Sequence, residues 1–333
     1  MSSPAYSRPP AAAGIIPEVI AADLQRVEER LRGELRSREP RLEEIGLHLV
    51  GAGGKRIRPL VVVLGFHAAA GGIGRARRDD ATEVAVALEL IHSATLLHDD
   101  IIDGSELRRG RASAVQAFGV ADTLVAGDFL FCRAFALCAR FEADVIRWAA
   151  QACVALTEGE MLQARFRRNP AVTFADYLEI VERKTAVLFA TGARTAAHLA
   201  GASATVTEAL ARAGRHLGMA FQMQDDLLDV DGALASTGKP PGLDLRDGNP
   251  SLPIVLGLQL DPRLRALFAV PAPSIADVEE AIARLRAAGV LDTVRGHVQR
   301  ELDAGLAALS QLPASEASRA LVELTRALAT RAG

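Results

Sequence analysis

The sequence predicts an all-α fold, on three observations. Apolar residues recur at three- and four-residue spacing from about Val19 to the C-terminus, the period of helices with one buried face. Alanine, leucine, arginine and glutamate dominate, and aromatic residues make up only 4%. No segment reads as a convincing β-sheet. The 333 residues, half of them hydrophobic, suffice for one large helical domain or two ordinary ones.

Taken in order, residues 1–17 lack the charged start and continuous apolar core of a secretory signal and read as a flexible tail. Helices are predicted at 18–36, 40–50, 57–71, 80–104, 113–140, 142–167, 174–201, 204–231, 250–260, 262–269, 275–288, 290–311 and 314–331. Ser274 followed by Asp277 has the form of a helix N-cap, and Gly289 is placed to end that helix. The stretch from Asp231 to Pro250 is too long for an ordinary helix connection and carries four glycines besides its prolines, the composition of a lid or ligand loop.

Composition excludes several classes. A net charge of −3 and a pI near 6.2 leave no global basic field for nucleic acid. No apolar run approaches the length of a membrane span, so a soluble protein is expected. Cys132, Cys138 and Cys153 follow neither a metal-ligand nor a disulfide pattern and are read as core filler in a reducing cytoplasm.

The sharpest local feature is His98-Asp99-Asp100-Ile101-Ile102-Asp103, at the end of a strongly apolar helix. Asp99 and Asp103 stand four residues apart, so their carboxylates project from one face and repel. A cation between them removes the repulsion. Hard oxygen ligands without cysteine or paired-histidine spacing favour Mg²⁺ over Zn²⁺. Taken singly, the cluster reads equally as a solvated helix end. A second copy, Asp225-Asp226-Leu227-Leu228-Asp229, lies about 125 residues downstream on another apolar helix. Two such faces meeting across a helical cavity would hold several Mg²⁺ ions around one diphosphate. Gly54-Lys55-Arg56-Ile57-Arg58-Pro59 and Leu107-Arg108-Arg109-Gly110-Arg111 flank the first cluster. Each alone is compatible with ordinary surface charge; with the acids they suggest two diphosphates side by side.

These motifs resemble, in order, those of the trans-isoprenyl diphosphate synthases. The resemblance rests on GGKRIRP at 53–59, IHSATLLHDDIIDGSELRRGR at 91–111, AGDFL at 126–130, EGEMLQ at 158–163, RKTAVLF at 183–189, FQMQDDLLDVDG at 221–232 and GKPPGLDL at 238–245. It implies one domain over residues 18–333, a single large helical bundle around a central catalytic cavity. It also implies a prenyltransferase that condenses isopentenyl diphosphate with an allylic diphosphate through a carbocation, releasing pyrophosphate. About three Mg²⁺ ions per active site are implied, two on Asp99 and Asp103 and a third on Asp225, with Asp100 and Asp229 in support. Arg108, Lys184, Gln222 and Lys239 would meet the allylic diphosphate, and Lys55, Arg58, His92 and Arg109 would meet isopentenyl diphosphate. Lys184, Thr185, Gln222 and Arg108 would act in catalysis, the Gln222 amide oxygen helping to stabilise the allylic cation. Without the resemblance, His92 reads as a core histidine, Lys184 as a lysine with its amine in water, and Gln222 as a surface glutamine. His98 and Phe221 are assigned packing roles.

The chain departs from the family at Asn249, where a lysine is common, which removes one cation near the diphosphate. Ala94 and Thr95 stand where short-chain members carry a phenylalanine or tyrosine, so an all-trans product of C30 to C50, suited to a quinone side chain, is expected, with C20 as the alternative. A terpene cyclase would not need the second basic set, and a non-catalytic regulatory subunit would lack one acid cluster. A cytoplasmic homodimer is implied by the resemblance alone.

Overall fold

The computed structural model describes residues 16–71, 77–232 and 241–329. Sixteen α-helices are described: α1 Glu18–Glu34, α2 Pro40–Gly51, α3 Ile57–Ala69, α4 Arg78–Ile102, α5 Ala114–Phe118, α6 Val120–Cys138, α7 Ala143–Phe166, α8 Phe174–Val181, α9 Val187–Leu199, α10 Ala204–Asp231, α11 Leu243–Asp247, α12 Leu252–Leu260, α13 Pro262–Phe268, α14 Ile275–Ala287, α15 Val290–Leu309 and α16 Glu316–Ala329. Among the described residues no helix is long and apolar enough to cross a membrane. Residues 1–15, and residues 233–240 with Lys239, lie outside the described residues.

Four local features depart from the helical reading. The predicted helix at 113–140 is two helices, broken at Gly119, whose φ of 85° ends α5. Between α4 and α5 lies a two-residue antiparallel ribbon, β1 Leu107–Arg108 paired with β2 Arg111–Ala112. The predicted helix at 174–201 contains a π-helical segment, Glu182–Ala186, between α8 and α9. The long loop carries α11. Where capping chemistry was legible it is realised: Ser274 and Asp277 form a reciprocal capping box, and Gly289 follows α14 at φ 69°. Cys132 is exposed and is not core filler, whereas burial pushes the Cys138 thiol up to about 11.

The chain divides into two compact units. The first takes Met1–Gln151, Thr191–Ala211 and Leu309–Leu324; the second takes Ala152–Ala190, Arg212–Ala308 and Thr325–Gly333. The division falls inside α7, α9, α10, α15 and α16.

In the first unit α4 packs along α6, α3 and α1. Gly192 of α9 permits close approach, since a Cβ there would lie 2.7 Å from Leu88 Cδ1 and 2.9 Å from Val62 Cγ2. A buried polar tie joins three of these helices: Asp23 of α1, only 2% exposed, accepts Arg78 Nε at 2.8 Å and lies 2.7 Å from His67 Nε2. Burial alone would raise the Asp23 carboxyl, but hydrogen bonds from His67, Arg78 and Arg26 outweigh it and hold it at about 2. A depressed folded pKa stabilises above the unfolded value near 3.8, and the contribution is lost as pH falls towards about 2. Asp23→Asn is therefore expected to cost about 2 kcal/mol at pH 7. It should also flatten the dependence of Tm on pH between about 4 and 2. Thermal melts across that range check both; a variant as acid-sensitive as the wild type contradicts the assignment.

In the second unit α12 packs against α8 and α13. The π segment lies close to two glycines. A Cβ on Gly159 of α7 would lie 2.8 Å from Arg183 Cβ, and one on Gly218 of α10 would lie 2.6 Å from Ala186 Cα.

Candidate active site

Both acid clusters stand where a helix tolerates them least. The C-terminal end of a helix dipole is negative, so it favours cations. Yet α4 ends in Asp99, Asp100 and Asp103, α10 ends in Asp225, Asp226, Asp229 and Asp231, and neither has a basic residue in its last turn. Within each pair of adjacent aspartates the helical turn separates two roles. Asp99 is half-buried, whereas Asp100 is wholly buried and Arg108 Nε donates to its Oδ1 at 2.9 Å. Asp225 is half-buried, whereas Asp226 is buried and accepts from Tyr177 Oη at 2.8 Å, Gln222 Nε2 at 2.8 Å and the Leu252 amide at 2.9 Å. Burial, followed by the Asp226 charge, keeps Tyr177 protonated and able to donate.

Several of the predicted site residues are engaged by other groups of the protein. Asp100 anchors Arg108, while Asp99 is half-buried and Asp103 exposed at the same helix end. Asp229 accepts the backbone amides of Leu243 and Asp244, at 3.2 and 3.1 Å, and so ties the start of α11 to α10. The Gln222 amide oxygen, expected to face an allylic cation, accepts Thr185 Oγ1 at 2.9 Å. Lys184 pairs with Glu160. Asn249 Oδ1 accepts Arg167 Nη2 at 3.2 Å, so a cation from beyond the end of α7 reaches this point.

The two basic segments do come together. A Cβ on Gly54 would lie 2.9 Å from Arg56 Nη1 and 3.1 Å from Arg109 Nη1. Arg56 is structural: it is buried and bonded to Glu28, Glu89 and the Val50 carbonyl, which fixes the loop before α3. Arg109 and Gly110, at φ 53° and 75°, form the two-residue turn between β1 and β2, a conformation suited to tight hairpins. The ribbon thus presents Arg109 over the Gly54 backbone. His92 keeps partial solvent access, but loss of hydration and then the charges of Arg58, Arg109, Arg56 and Arg108 push its pKa well below the usual histidine value. It is a neutral imidazole among arginines, a nest that an anion stabilises. Lys55 is exposed in the same loop.

Asp244 and Glu160 lie inside the quoted motifs at 238–245 and 158–163, which assign them no role. Asp244 is raised well above the carboxylate range by burial and then by Asp229 and Asp226, against hydrogen bonds from Asn249 and Ser251. Glu160 is the partner of Lys184. Asp226, quoted only as part of its motif, carried a readable signal: Met223 and Val230, three residues before and four after it, are buried.

The donor set fits Mg²⁺. Among the described residues no group of three His, Cys, Asp or Glu side chains could hold a metal by itself. Mg²⁺ commonly needs no such cage, taking one or two carboxylates with waters and substrate phosphates. Carboxylates at a helix end next to a nest of arginines define a protein that handles diphosphates.

The comparisons with known proteins agree. Residues 39–285 match the polyprenyl synthetase family. The octaprenyl diphosphate synthase of Haemophilus influenzae is 36% identical over 307 residues, covering 91% of this chain and 92% of the relative. The geranylgeranyl diphosphate synthase of Methanosarcina mazei is 36% identical over 265 residues, 78% of this chain and 80% of the relative. A crystal structure of polyprenyl synthase from Caulobacter crescentus, complexed with calcium and isoprenyl diphosphate, superposes with a TM-score of 0.88 at 35% identity, covering 95% and 96% of the two chains. The chain belongs to the polyprenyl synthetase family. It has the all-α isoprenoid synthase fold and is a trans-prenyltransferase that condenses isoprenoid diphosphates.

Proposed function

We propose that this enzyme elongates an allylic diphosphate with isopentenyl diphosphate to an all-trans polyprenyl diphosphate of C30 to C50, suited to a quinone side chain. The residues Asp99, Asp103 and Asp225 are its magnesium ligands, with about three Mg²⁺ ions per site. When bound, Mg²⁺ supplies electrophilic assistance to cleavage of the allylic C–O bond. The chain's own residues hold the reactants. Arg108, steered by Asp100, and Lys184 bind the allylic diphosphate. Arg58, His92 and Arg109, with Lys55, bind isopentenyl diphosphate. Fixed positive groups aimed at a leaving diphosphate lower the barrier without a side-chain nucleophile.

The observation that carries this reading is the arginine nest around a neutral His92, beside the carboxylate end of α4. It provides for a second diphosphate, which a cyclase does not need. Arg109→Ala is expected to raise KM for isopentenyl diphosphate by about tenfold or more while changing KM for the allylic primer less, as removal of one charged hydrogen bond implies. Initial-rate kinetics with each substrate varied in turn check this. The opposite ordering means the two diphosphate sites are exchanged.

The product range rests on α4 behind Asp99. Ala94 is small and wholly buried, and Thr95, four residues before Asp99 and so on its face, is half-buried, its hydroxyl bonded back to the His92 carbonyl at 2.8 Å. No bulky side chain stands at either position. The C20 reading is favoured by the geranylgeranyl relative and is the second possibility. Dimerisation is proposed through α6, where Val120, Leu124, Val125 and Phe135 are 55, 48, 54 and 38% exposed, an apolar face that water disfavours. Sedimentation of the enzyme as a monomer at micromolar concentration contradicts it. The reaction uses soluble diphosphates, and we place the enzyme in the cytoplasm as one catalytic domain.

A further inference from the structure

We propose that Glu160 is the resident counter-ion of Lys184, and that an allylic diphosphate reaches the lysine by displacing it. The inference rests on the reading of Lys184 as a diphosphate contact given above.

Lys184 sits in the π segment Glu182–Ala186. π-helical turns inside α-helices often mark functional sites. Here the segment is held tightly. Gly159 presses α7 against it, since a Cβ there would also lie 3.0 Å from the Lys184 backbone nitrogen and Cγ, and Gly218 presses α10 against Ala186. Thr185 is fixed by its bond to Gln222. Lys184 therefore leaves a rigid platform, with its own side chain as the adjustable part.

Two ion pairs flank Gly159, and they differ. Glu158 pairs with Arg183, with side chains 55% and 35% exposed. Glu160 pairs with Lys184, with side chains only 22% and 23% exposed. The first is a solvated pair of the kind that contributes little. In the second, both ions have given up much of their hydration, so each needs the other until something better charged arrives. A diphosphate carries more negative charge than one carboxylate, and Coulomb attraction scales with that charge. It can take the lysine, but each binding event must first break the pair. When pyrophosphate leaves, Glu160 is in place to recapture the amine. The acid thus weakens diphosphate binding and assists release, acting on substrate only through Lys184 as a positioning residue.

The test is isothermal titration calorimetry of magnesium pyrophosphate binding to wild type, Glu160→Gln, Glu160→Asp and Glu158→Gln, alongside steady-state kinetics. Glu160→Gln is expected to tighten pyrophosphate binding and lower KM for the allylic primer by about fivefold, the equivalent of one well-formed ion pair. KM for isopentenyl diphosphate should be unchanged. Glu160→Asp should fall between Gln and wild type, and Glu158→Gln should match wild type in every reading. Unchanged or weaker pyrophosphate binding in a folded Glu160→Gln protein overturns the inference, as does an equal shift in Glu158→Gln, which would indicate a general charge effect. A wild type that condenses nothing and binds no pyrophosphate overturns the reading of the site itself, and the inference with it.

Discussion

Asp99→Ala and Asp225→Ala are each expected to lower turnover by roughly 10²- to 10³-fold or more, the scale seen when one preorganised electrostatic group is removed. The fold should survive. Asp99 lies at the negative end of a 25-residue helix with no basic residue in its last turn, so its removal relieves repulsion and should leave Tm unchanged or slightly raised. Asp225 is placed likewise on α10. Asp100→Ala supplies the contrast. Its carboxylate is buried against Arg108, and losing it leaves an arginine without its anchor, at a cost of about 3 kcal/mol. Steady-state rates at saturating Mg²⁺ and thermal melts on the three variants separate a ligand from an anchor. Near-wild-type turnover in Asp99→Ala or Asp225→Ala contradicts the metal assignment.

The second large effect is on chain length. Ala94→Phe is expected to shift the main product to C15 or C20 with the total condensation rate largely kept. A helix rises about 5.4 Å per turn, close to one extended isoprene unit, so a ring one turn behind Asp99 truncates the path of a growing tail. Because Ala94 is wholly buried, a phenylalanine there also risks overpacking by about 1–3 kcal/mol. Thr95→Phe provides an independent variant at a half-buried position on the Asp99 face. Chromatography of the products, with a melt to confirm folding, decides the matter. Product distributions unchanged in both folded variants contradict the open path.

Much of this was readable in the sequence, and the gaps have physical reasons. The helices and caps were legible because periodicity and capping are local: Ser274 and Asp277 needed nothing beyond their own spacing. The basic segments were legible as charge, but their meeting was not, because the approach of Arg109 to Gly54 depends on a hairpin of six residues, 107–112, inside a helical chain. The π segment was invisible, since Glu182-Arg183-Lys184-Thr185-Ala186 has ordinary helical composition and its widened turn is bounded by glycines in other helices. Glu160 was missed for the same reason: its partner is 24 positions away in sequence and is met only because Gly159 has no side chain. The adjacent aspartates could have been sorted, because Leu97, three residues before Asp100, is buried and marks the inward face of α4.

The reaction itself is read by incubating the wild-type protein with labelled isopentenyl diphosphate, each allylic primer in turn and Mg²⁺, and separating the products by chromatography. The expected result is condensation that requires both diphosphates and ends at linear all-trans chains of C30 to C50. Products that stop at C20 contradict the chain-length reading, and a hydrocarbon formed from the allylic primer alone, without incorporation of label, contradicts the reaction itself.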